Sequence, residues 1–379
     1  MWQKACYRYG EATEKRSEYM TSKPNIGVVG CGYWGPNLIR NFNALNDCTL
    51  KTICDANTKR LEHMSSIYPH VQTGTSYEEM ITDPELDAVV VAVPVHLHYD
   101  LAKKSLAAGK HTFIEKPMAA TTEQCAELIE MAHDRDLILM VGHTFLYSPA
   151  VRKIKEIVDS GTIGKIRYIS SRRLNLGLYQ KDINVVWDLG PHDLSIILYI
   201  MNQTPVEVNC RGKTTLNHDI QDVSNMSLLF ADGGFATVHN SWLDPKKVRD
   251  MAIVGDKKMI VYDDLEPIQK IRIYDMRVDP PPYTDTFKEF NISYHYGDMN
   301  APFIEQEEPL KNEAQHFVDC IREDRRPLTC GASGLQLVHI LEAASESMRN
   351  RGEAIDLPTR FPRCCEACGH DGGCKHAGS

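Results

Sequence analysis

The sequence predicts an α/β protein of two domains: a doubly wound parallel sheet, then a mostly antiparallel sheet. Three observations predict it. Strand and helix patterns alternate over residues 25–148, and the Asp87–Val93 strand is apolar nearly throughout, as a parallel strand covered on both faces must be. From residue 149 the rhythm changes to short strands joined by hairpin turns, over residues 149–357. The chain has 379 residues, 42% hydrophobic and 25% charged, which supplies two cores and excludes disorder throughout.

Residues 1–24 read as a flexible leader, because Met1–Ser22 is polar and lacks the apolar segment of a signal peptide. Ile26–Val29 is the first strand and runs into glycines. The following helix sets Leu38, Phe42 and Leu45 on one face. Leu50–Cys54 is the second strand, and Asp87–Val93 is a fully buried one. Helix His98–Ala108 leads to strand His111–Ile114. Thr121 caps the next helix with Gln124 in capping-box spacing, and Leu137–Val141 is strand again. In the second domain, helix Ala150–Val158 precedes strands near Lys165–Ser170, Val206–Arg211, Asn225–Phe230, Phe235–Ser241, Arg249–Val254 and Met259–Tyr262. Ala236 and Val238 alternate with Thr237 and His239, which predicts one buried sheet face. Leu194–Met201 is a helix. A loop-rich stretch runs from Pro280 to about Glu308, and helices follow at Asn312–Ile321 and Leu335–Met348. Residues 358–379 form a tail rich in Cys and Gly.

The formal charge is −9, which disfavours nucleic acid and anionic membrane surfaces as partners. No apolar run is long enough to span a bilayer. Twelve cysteines spread through predicted strands and helices fit a reduced, cytoplasmic protein better than a disulfide framework. In the tail, Cys365, Cys368, Cys374 and His376 are candidate ligands for a structural metal; the alternative is a flexible, redox-sensitive segment. No metal is expected in the active site.

Gly30-Cys31-Gly32-Tyr33-Trp34-Gly35 follows a strand and opens a helix. Gly30 permits the tight turn, Gly32 lets a pyrophosphate approach the backbone, and Gly35 allows close helix–strand packing. The helix N-terminus then offers oriented N–H groups to the anion. Asp55 ends the second strand, 25 residues after Gly30. A carboxylate there accepts from ribose hydroxyls and repels a 2′-phosphate, which favours NAD over NADP. Lys59 and Arg60 work the other way. Pro94 sits after the Asp87–Val93 strand, at the edge where such sheets bind ligands, and shapes the loop beside the nicotinamide half. His98 either lines the cofactor or caps the next helix.

Glu115-Lys116-Pro117 follows another strand at the same edge. The Lys116 ammonium there stabilises a developing alkoxide. In Trp187-Asp188-Leu189-Gly190-Pro191-His192-Asp193, Asp188 and His192 share one face if the segment is helical, though Gly190 and Pro191 leave the backbone path open. His192 can move a hydroxyl proton near neutral pH, and Asp188 hydrogen-bonds substrate or orients His192. Asp193 is a candidate helix cap. Together these residues suit hydride transfer between NAD and a hydroxyl-bearing carbon.

The segments GVVGCGYWGPNLIRNF, FIEKP and WDLGPHD together resemble the Gfo/Idh/MocA oxidoreductases, over roughly residues 25–355. The resemblance implies an N-terminal Rossmann domain and a C-terminal α/β domain with a predominantly antiparallel open sheet. It implies sugar, cyclitol or nucleotide-sugar substrates and a homodimer or homotetramer. The family's lysine matches Lys116, its Asp-x-x-x-His pair matches Asp188 and His192, and its cofactor glycines match Gly30, Gly32 and Gly35. Tyr33, Trp34 and Glu115 accompany them as cofactor-side residues. RRLNLG, followed by VVWDLGPHDLS, resembles the branch that acts at C3 of UDP-N-acetylglucosamine-type sugars or their uronic acids. Arg172 or Arg173 would then meet a carboxylate or diphosphate, with one pointing outward. Asn175 would bond sugar hydroxyls. Tyr147 and Tyr179 are pocket walls or ordinary core aromatics, and His143 is a substrate contact or a packing residue. The alternatives are an NADPH-dependent keto-sugar reductase, an inositol or free-sugar dehydrogenase, and a catalytically silent NAD-binding scaffold.

Overall fold

The five segments expected to be strands in the first domain are strands. The computed structural model describes residues 22–177, 179–180, 182–216, 220–279 and 293–358. Residues 1–21 of the leader lie outside the described residues, as do Cys365, Cys368, Cys374 and His376 of the tail. The described chain divides into two compact units, one of residues 22–144 and 308–339, the other of 145–307 and 340–358.

The first unit alternates strictly: β1 (Asn25–Val29), α1 (Gly35–Ala44), β2 (Thr49–Cys54), α2 (Thr58–Ile67), β3 (Gln72–Gly74), α3 (Tyr77–Thr82), β4 (Ala88–Val91), α4 (His98–Ala107), β5 (His111–Glu115), α5 (Thr122–Asp134) and β6 (Leu139–Gly142). The strands form one parallel sheet in the order β3-β2-β1-β4-β5-β6. The order of strand addition reverses beside β1, so the carboxyl ends of β1 and β4 open onto the crevice where such sheets bind ligands. The four residues of β4 are all fully buried, which is why that segment reads as an uninterrupted apolar run. Thr121 does cap α5, its hydroxyl accepting from the Gln124 N–H at 3.2 Å.

The second unit contains α6 (Pro149–Asp159), β7 (Ile166–Leu176), α7 (Val185–Met201), β8 (Pro205–Lys213), β9 (Val223–Phe230), β10 (Phe235–Ser241), β11 (Leu243–Gly255), β12 (Met259–Asp263), β13 (Ile271–Asp279) and β14 (Ser293–Asn300). Two helices follow, α8 (Pro309–Arg322) and α9 (Gly331–Arg349), and then β15 (Ile355–Asp356). The nine-stranded sheet runs β14-β13-β12-β11-β7-β10-β9-β8-β15. Only β7 and β10 pair parallel; the other neighbours are antiparallel. Ala236 and Val238 are buried as the alternation requires, and α7 packs over β10 and β7.

Two features depart from the expected layout. The division falls between Thr144 and Phe145, and α8 belongs to the first unit. Phe317 on α8 meets Phe42 and Phe113 edge-on, with centroids at 6.3 and 5.7 Å. Burying a phenyl ring stabilises by about 1.5–3 kcal/mol, and Glu308 adds hydrogen bonds to Arg40 and Asn41. The second departure is β14, which lies in the stretch expected to be loop. It is an edge strand, exposed at nearly every position, so no burial alternation marks it. Cys48, Cys210 and Cys320 are buried free thiols, each pushed up to about 12 by burial. Among the described residues no helix is long and apolar enough to cross a membrane.

Candidate active site

The expected functional residues divide between the units: the glycine turn, Asp55, Lys116 and His143 in the first, and Asp188 and His192 in the second.

In the first unit the turn after β1 is built as its glycines require. Gly30 has φ +101°, and a Cβ there would lie 2.3 Å from the Ala92 carbonyl oxygen. A Cβ on Gly35 would lie 1.9 Å from the Gly30 oxygen. Gly32 differs: a Cβ there would meet nothing nearer than Arg60 Nη1 at 3.9 Å. Its surroundings are open, which is what a pyrophosphate needs. No side chain caps α1 and no acidic residue occupies its first turn, so no side chain competes with an anion for the helix N-terminus, where Pro36 has no N–H and the Asn37 N–H already reaches the Trp34 oxygen at 3.0 Å. These features fit a dinucleotide. Gly35→Ala is expected to destabilise the unit by about 1–3 kcal/mol, the usual cost of overpacking, and to lose NAD binding. Gly32→Ala is expected to keep its thermal midpoint while NAD affinity falls at least about tenfold, because the methyl occupies the pyrophosphate's approach. Calorimetry with titrated NAD separates the two outcomes; full affinity in Gly32→Ala would remove the pyrophosphate from this turn.

Asp55 sits at the end of β2 and is largely buried. Its Oδ2 accepts from the Cys31 N–H at 2.6 Å and its Oδ1 from the Asn57 N–H at 2.8 Å. Arg60 Nη1 stands 3.7 Å from Oδ2. The carboxylate therefore ties the glycine turn to β2. Tyr33 is exposed, and Trp34 is partly so. The Trp34 indole N–H donates to Glu115 Oε1 at 2.7 Å, and the Lys116 N–H reaches Oε2 at 3.2 Å. Burial pushes the Glu115 carboxyl up to about 7, against the Lys116 charge and the Trp34 hydrogen bond. A Cβ on Gly142 would lie 3.1 Å from that carboxyl. Glu115 is thus an internal tie between the glycine turn and the Lys116 segment.

His98 corrects its expectation. Its ring is buried, with Nδ1 2.8 Å from the Pro117 oxygen and Nε2 2.8 Å from the Val93 oxygen. Leu97 is the capping residue of α4. His98 therefore neither caps the helix nor offers a nitrogen to a cofactor; it braces the Val93-Pro94 loop against the Lys116-Pro117 loop. Burial holds its imidazole below the ordinary range, while the two carbonyls pull the other way. Pro94 is exposed. His143 follows β6, buried, and its Nε2 has no hydrogen-bond partner. Burial first, then the Lys116 charge, pushes it down to about 4. A neutral imidazole nitrogen held near Lys116 is suited to meet a ligand hydroxyl.

Glu313 on α8 was missed by sequence reasoning. It is fully buried and accepts from Thr144 Oγ1 at 2.7 Å. Burial, and then Glu115, holds its carboxyl well above the usual range. Nothing local marks it, because its partners are distant in sequence.

In the second unit α7 settles the open backbone path. Asn184 caps the helix, its side chain accepting from the Val186 and Trp187 N–H groups at 3.1 and 3.2 Å. The helix continues through Gly190-Pro191. Pro191 removes one backbone donor, and the preceding glycine carries no Cβ to crowd the ring. Asp188 and His192 consequently lie one helical turn apart on one face. Both are half-buried. Phe145 packs edge-on to His192 with centroids 5.1 Å apart. Asp188 Oδ2 accepts from the Trp242 indole N–H at 3.1 Å, a contact sequence reasoning did not anticipate.

The arginines also require correction. Arg173 is buried and grips Asp193 with two hydrogen bonds of 2.9 and 3.1 Å. Its guanidinium lies 4.6 Å from the Phe145 ring centroid. It cannot also bind a diphosphate, and Asp193 is its counterion rather than a helix cap. Arg172 points to the other face, as alternation expects, and pairs with Asp250 on β11. Tyr147 is fully buried, with the Arg152 guanidinium 5.4 Å from its ring, so it is a core residue. Tyr179 is half-buried; its hydroxyl donates to Asp222 and its ring lies 5.1 Å from that of Trp242. Asn175 is half-buried on β7.

Comparison with known proteins agrees with both units. The profile described as an oxidoreductase family with an NAD-binding Rossmann fold matches residues 24–143, and that of the GFO/IDH/MocA C-terminal domain matches residues 151–261. The myo-inositol 2-dehydrogenase of Thermotoga maritima is 29% identical over 226 residues, 57% of this chain and 68% of that protein. The UDP-N-acetylglucosamine 3-dehydrogenase of Acidithiobacillus ferrooxidans is 28% identical over 228 residues, 60% of this chain and 70% of that protein. The crystal structure of the aldose-aldose oxidoreductase of Caulobacter crescentus, complexed with glycerol, has a TM-score of 0.75 at 20% identity, covering 88% of this chain and all of that one. With the two profiles matched in order along both units, the chain belongs to the GFO/IDH/MocA oxidoreductase family.

Proposed function

We propose that this chain is an NAD-dependent oxidoreductase that interconverts a secondary alcohol and a ketone on a sugar or cyclitol. The observation that carries the reading is Asp188 and His192 one turn apart on α7, in a chain whose other unit holds a glycine turn fitted to a dinucleotide. When bound, NAD supplies the hydride acceptor. His192 takes the hydroxyl proton in oxidation and returns it in reduction. Lys116 steadies the oxygen in both directions through its positive charge. Asp188 holds a substrate hydroxyl or orients His192. His143, uncharged and with an unpartnered ring nitrogen, adds a polar contact. The Asp55 carboxylate, fixed by two backbone N–H groups, disfavours a 2′-phosphate and supports NAD over NADP.

The nucleotide-sugar reading, oxidation at C3 of a UDP-N-acetylglucosamine-type sugar, takes support from the A. ferrooxidans relative. One observation favours an uncharged polyol instead. Arg173, the inward arginine of β7, is engaged by buried Asp193, and Arg172 lies on the opposite face beside Asp250, so the inward position offers no unpaired guanidinium for a diphosphate. The T. maritima relative, an inositol dehydrogenase by name, agrees with that reading.

A panel decides the matter. Inositols, free sugars and UDP-, dTDP- and GDP-sugars are offered with NAD or NADP, and keto-sugars with the reduced cofactors. The expected result is reduced cofactor formed from NAD with at least one sugar or cyclitol. Turnover of none of them, in either direction, sinks the proposal; turnover of nucleotide sugars alone sinks the preference for a polyol.

A further inference from the structure

We propose that Trp242 is a positioning residue for Asp188: its indole N–H holds the carboxylate in the orientation the reaction uses. This rests on the role given to Asp188 above.

Trp242 is firmly fixed. It lies in the sharp link between β10 and β11 and is almost fully buried. Its backbone N–H donates to the Asp222 oxygen at 3.0 Å, and its own carbonyl accepts from the Gly177 N–H at 3.0 Å. The ring is held as closely. A Cβ on Gly177 would lie 3.0 Å from Trp242 Cδ1, so that glycine lets β7's end pass against the indole. Tyr179 covers the ring, and its hydroxyl is anchored by Asp222. Asp222 is itself fully buried and accepts from Thr215 N at 2.7 Å, Thr215 Oγ1 at 3.0 Å and Leu216 N at 3.3 Å.

The indole therefore has little freedom to follow a moving partner. Its only polar hydrogen points at Asp188 Oδ2, 3.1 Å away. Asp188 is half-buried on the helix face that carries His192, with two side-chain torsions to be fixed. A charge-assisted hydrogen bond from a rigid donor fixes them. The chain Asp222–Tyr179–Trp242–Asp188 thus links a buried loop anchor to the catalytic helix. It also gives Tyr179 a different part from the pocket wall expected for it.

Two measurements test this on the full chain. The protein has four tryptophans, and each gives one indole N–H resonance; Trp242→Phe assigns the relevant one by its disappearance. In Asp188→Ala that resonance is expected to shift by more than any of the other three. This arm needs no substrate and leaves the buried ring intact. The second arm is a double-mutant cycle read as kcat/KM with NAD and, as probes, myo-inositol, D-glucose and UDP-N-acetylglucosamine. Trp242→Phe is expected to lower kcat/KM by about tenfold to a hundredfold, the range for a lost hydrogen bond to a charged group, with NAD affinity unchanged. In the Asp188→Ala background the same change is expected to cost less than about twofold. An unmoved resonance, or losses that simply multiply, overturns the proposal. Failure of the unaltered protein to turn over any probe counts against the proposed activity, while the resonance still judges the contact.

Discussion

Replacing His192 with alanine is expected to slow single-turnover hydride transfer by about 10²- to 10⁴-fold, the contribution of a positioned general acid–base. Affinity for NAD is expected to stay unchanged, because the imidazole is assigned only the hydroxyl proton while the glycine turn holds the dinucleotide. Lys116→Ala is expected to cost about 10²–10³-fold, as for other lost donors to a developing oxyanion. Stopped-flow absorbance of the reduced nicotinamide, with nucleotide binding measured separately, checks both. Normal transfer in either variant removes that residue from the chemistry. The pH profile sharpens the assignment. His143, pushed down to about 4, stays neutral through the physiological range and contributes no limb there. Glu115, pushed up to about 7, can contribute one. A limb that vanishes in His192→Ala belongs to His192; one that survives with residual activity and is lost in Glu115→Gln belongs to the buried carboxyl pair Glu115 and Glu313.

Arg173→Leu is expected to destabilise the second unit by about 3–5 kcal/mol, the usual consequence of leaving a buried charge without its partner. Asp193, with 4% of its side chain exposed, would be that charge. Phe145 would also lose the guanidinium over its ring, worth about 0.5–2 kcal/mol. The double change Arg173→Leu with Asp193→Leu is expected to recover most of the loss, since it removes both desolvated ions together. Arg172→Ala serves as contrast: its side chain is 54% exposed in its pair with Asp250, and such pairs contribute about 0–1 kcal/mol. Urea unfolding followed by circular dichroism reads all three. A substrate-binding Arg173 would instead raise KM with the unfolding midpoint unchanged, and that outcome would restore the original expectation.

The same two arginines show where local reading stops. Alternation along β7 correctly separates Arg172 and Arg173 onto opposite faces, because strand geometry is local. Whether the inward one meets a ligand or Asp193 depends on how α7 lies over β7, which no sequence window contains. His98 repeats the lesson. Its position after the β4 loop is legible, but its two carbonyl partners come from separate loops. Trp242 and Glu313 carried no motif at all; their importance arises from contacts with Asp188 and Thr144, 54 and 169 residues away.

By itself the sequence determined the strand–helix alternation of the first domain, its parallel sheet, the glycine turn and the four-residue spacing of Asp188 and His192. These follow from side-chain periodicity and from backbone conformations that only certain residues adopt. The tertiary structure alone decided that α8 returns to the first unit, that β14 is a strand, that Arg173 pairs with Asp193 in the core, that α7 runs on through Gly190-Pro191 and that the Trp242 indole reaches Asp188. Each of those depends on which distant surfaces meet, and burial and hydrogen-bond partnership are properties of that meeting rather than of any local run of residues.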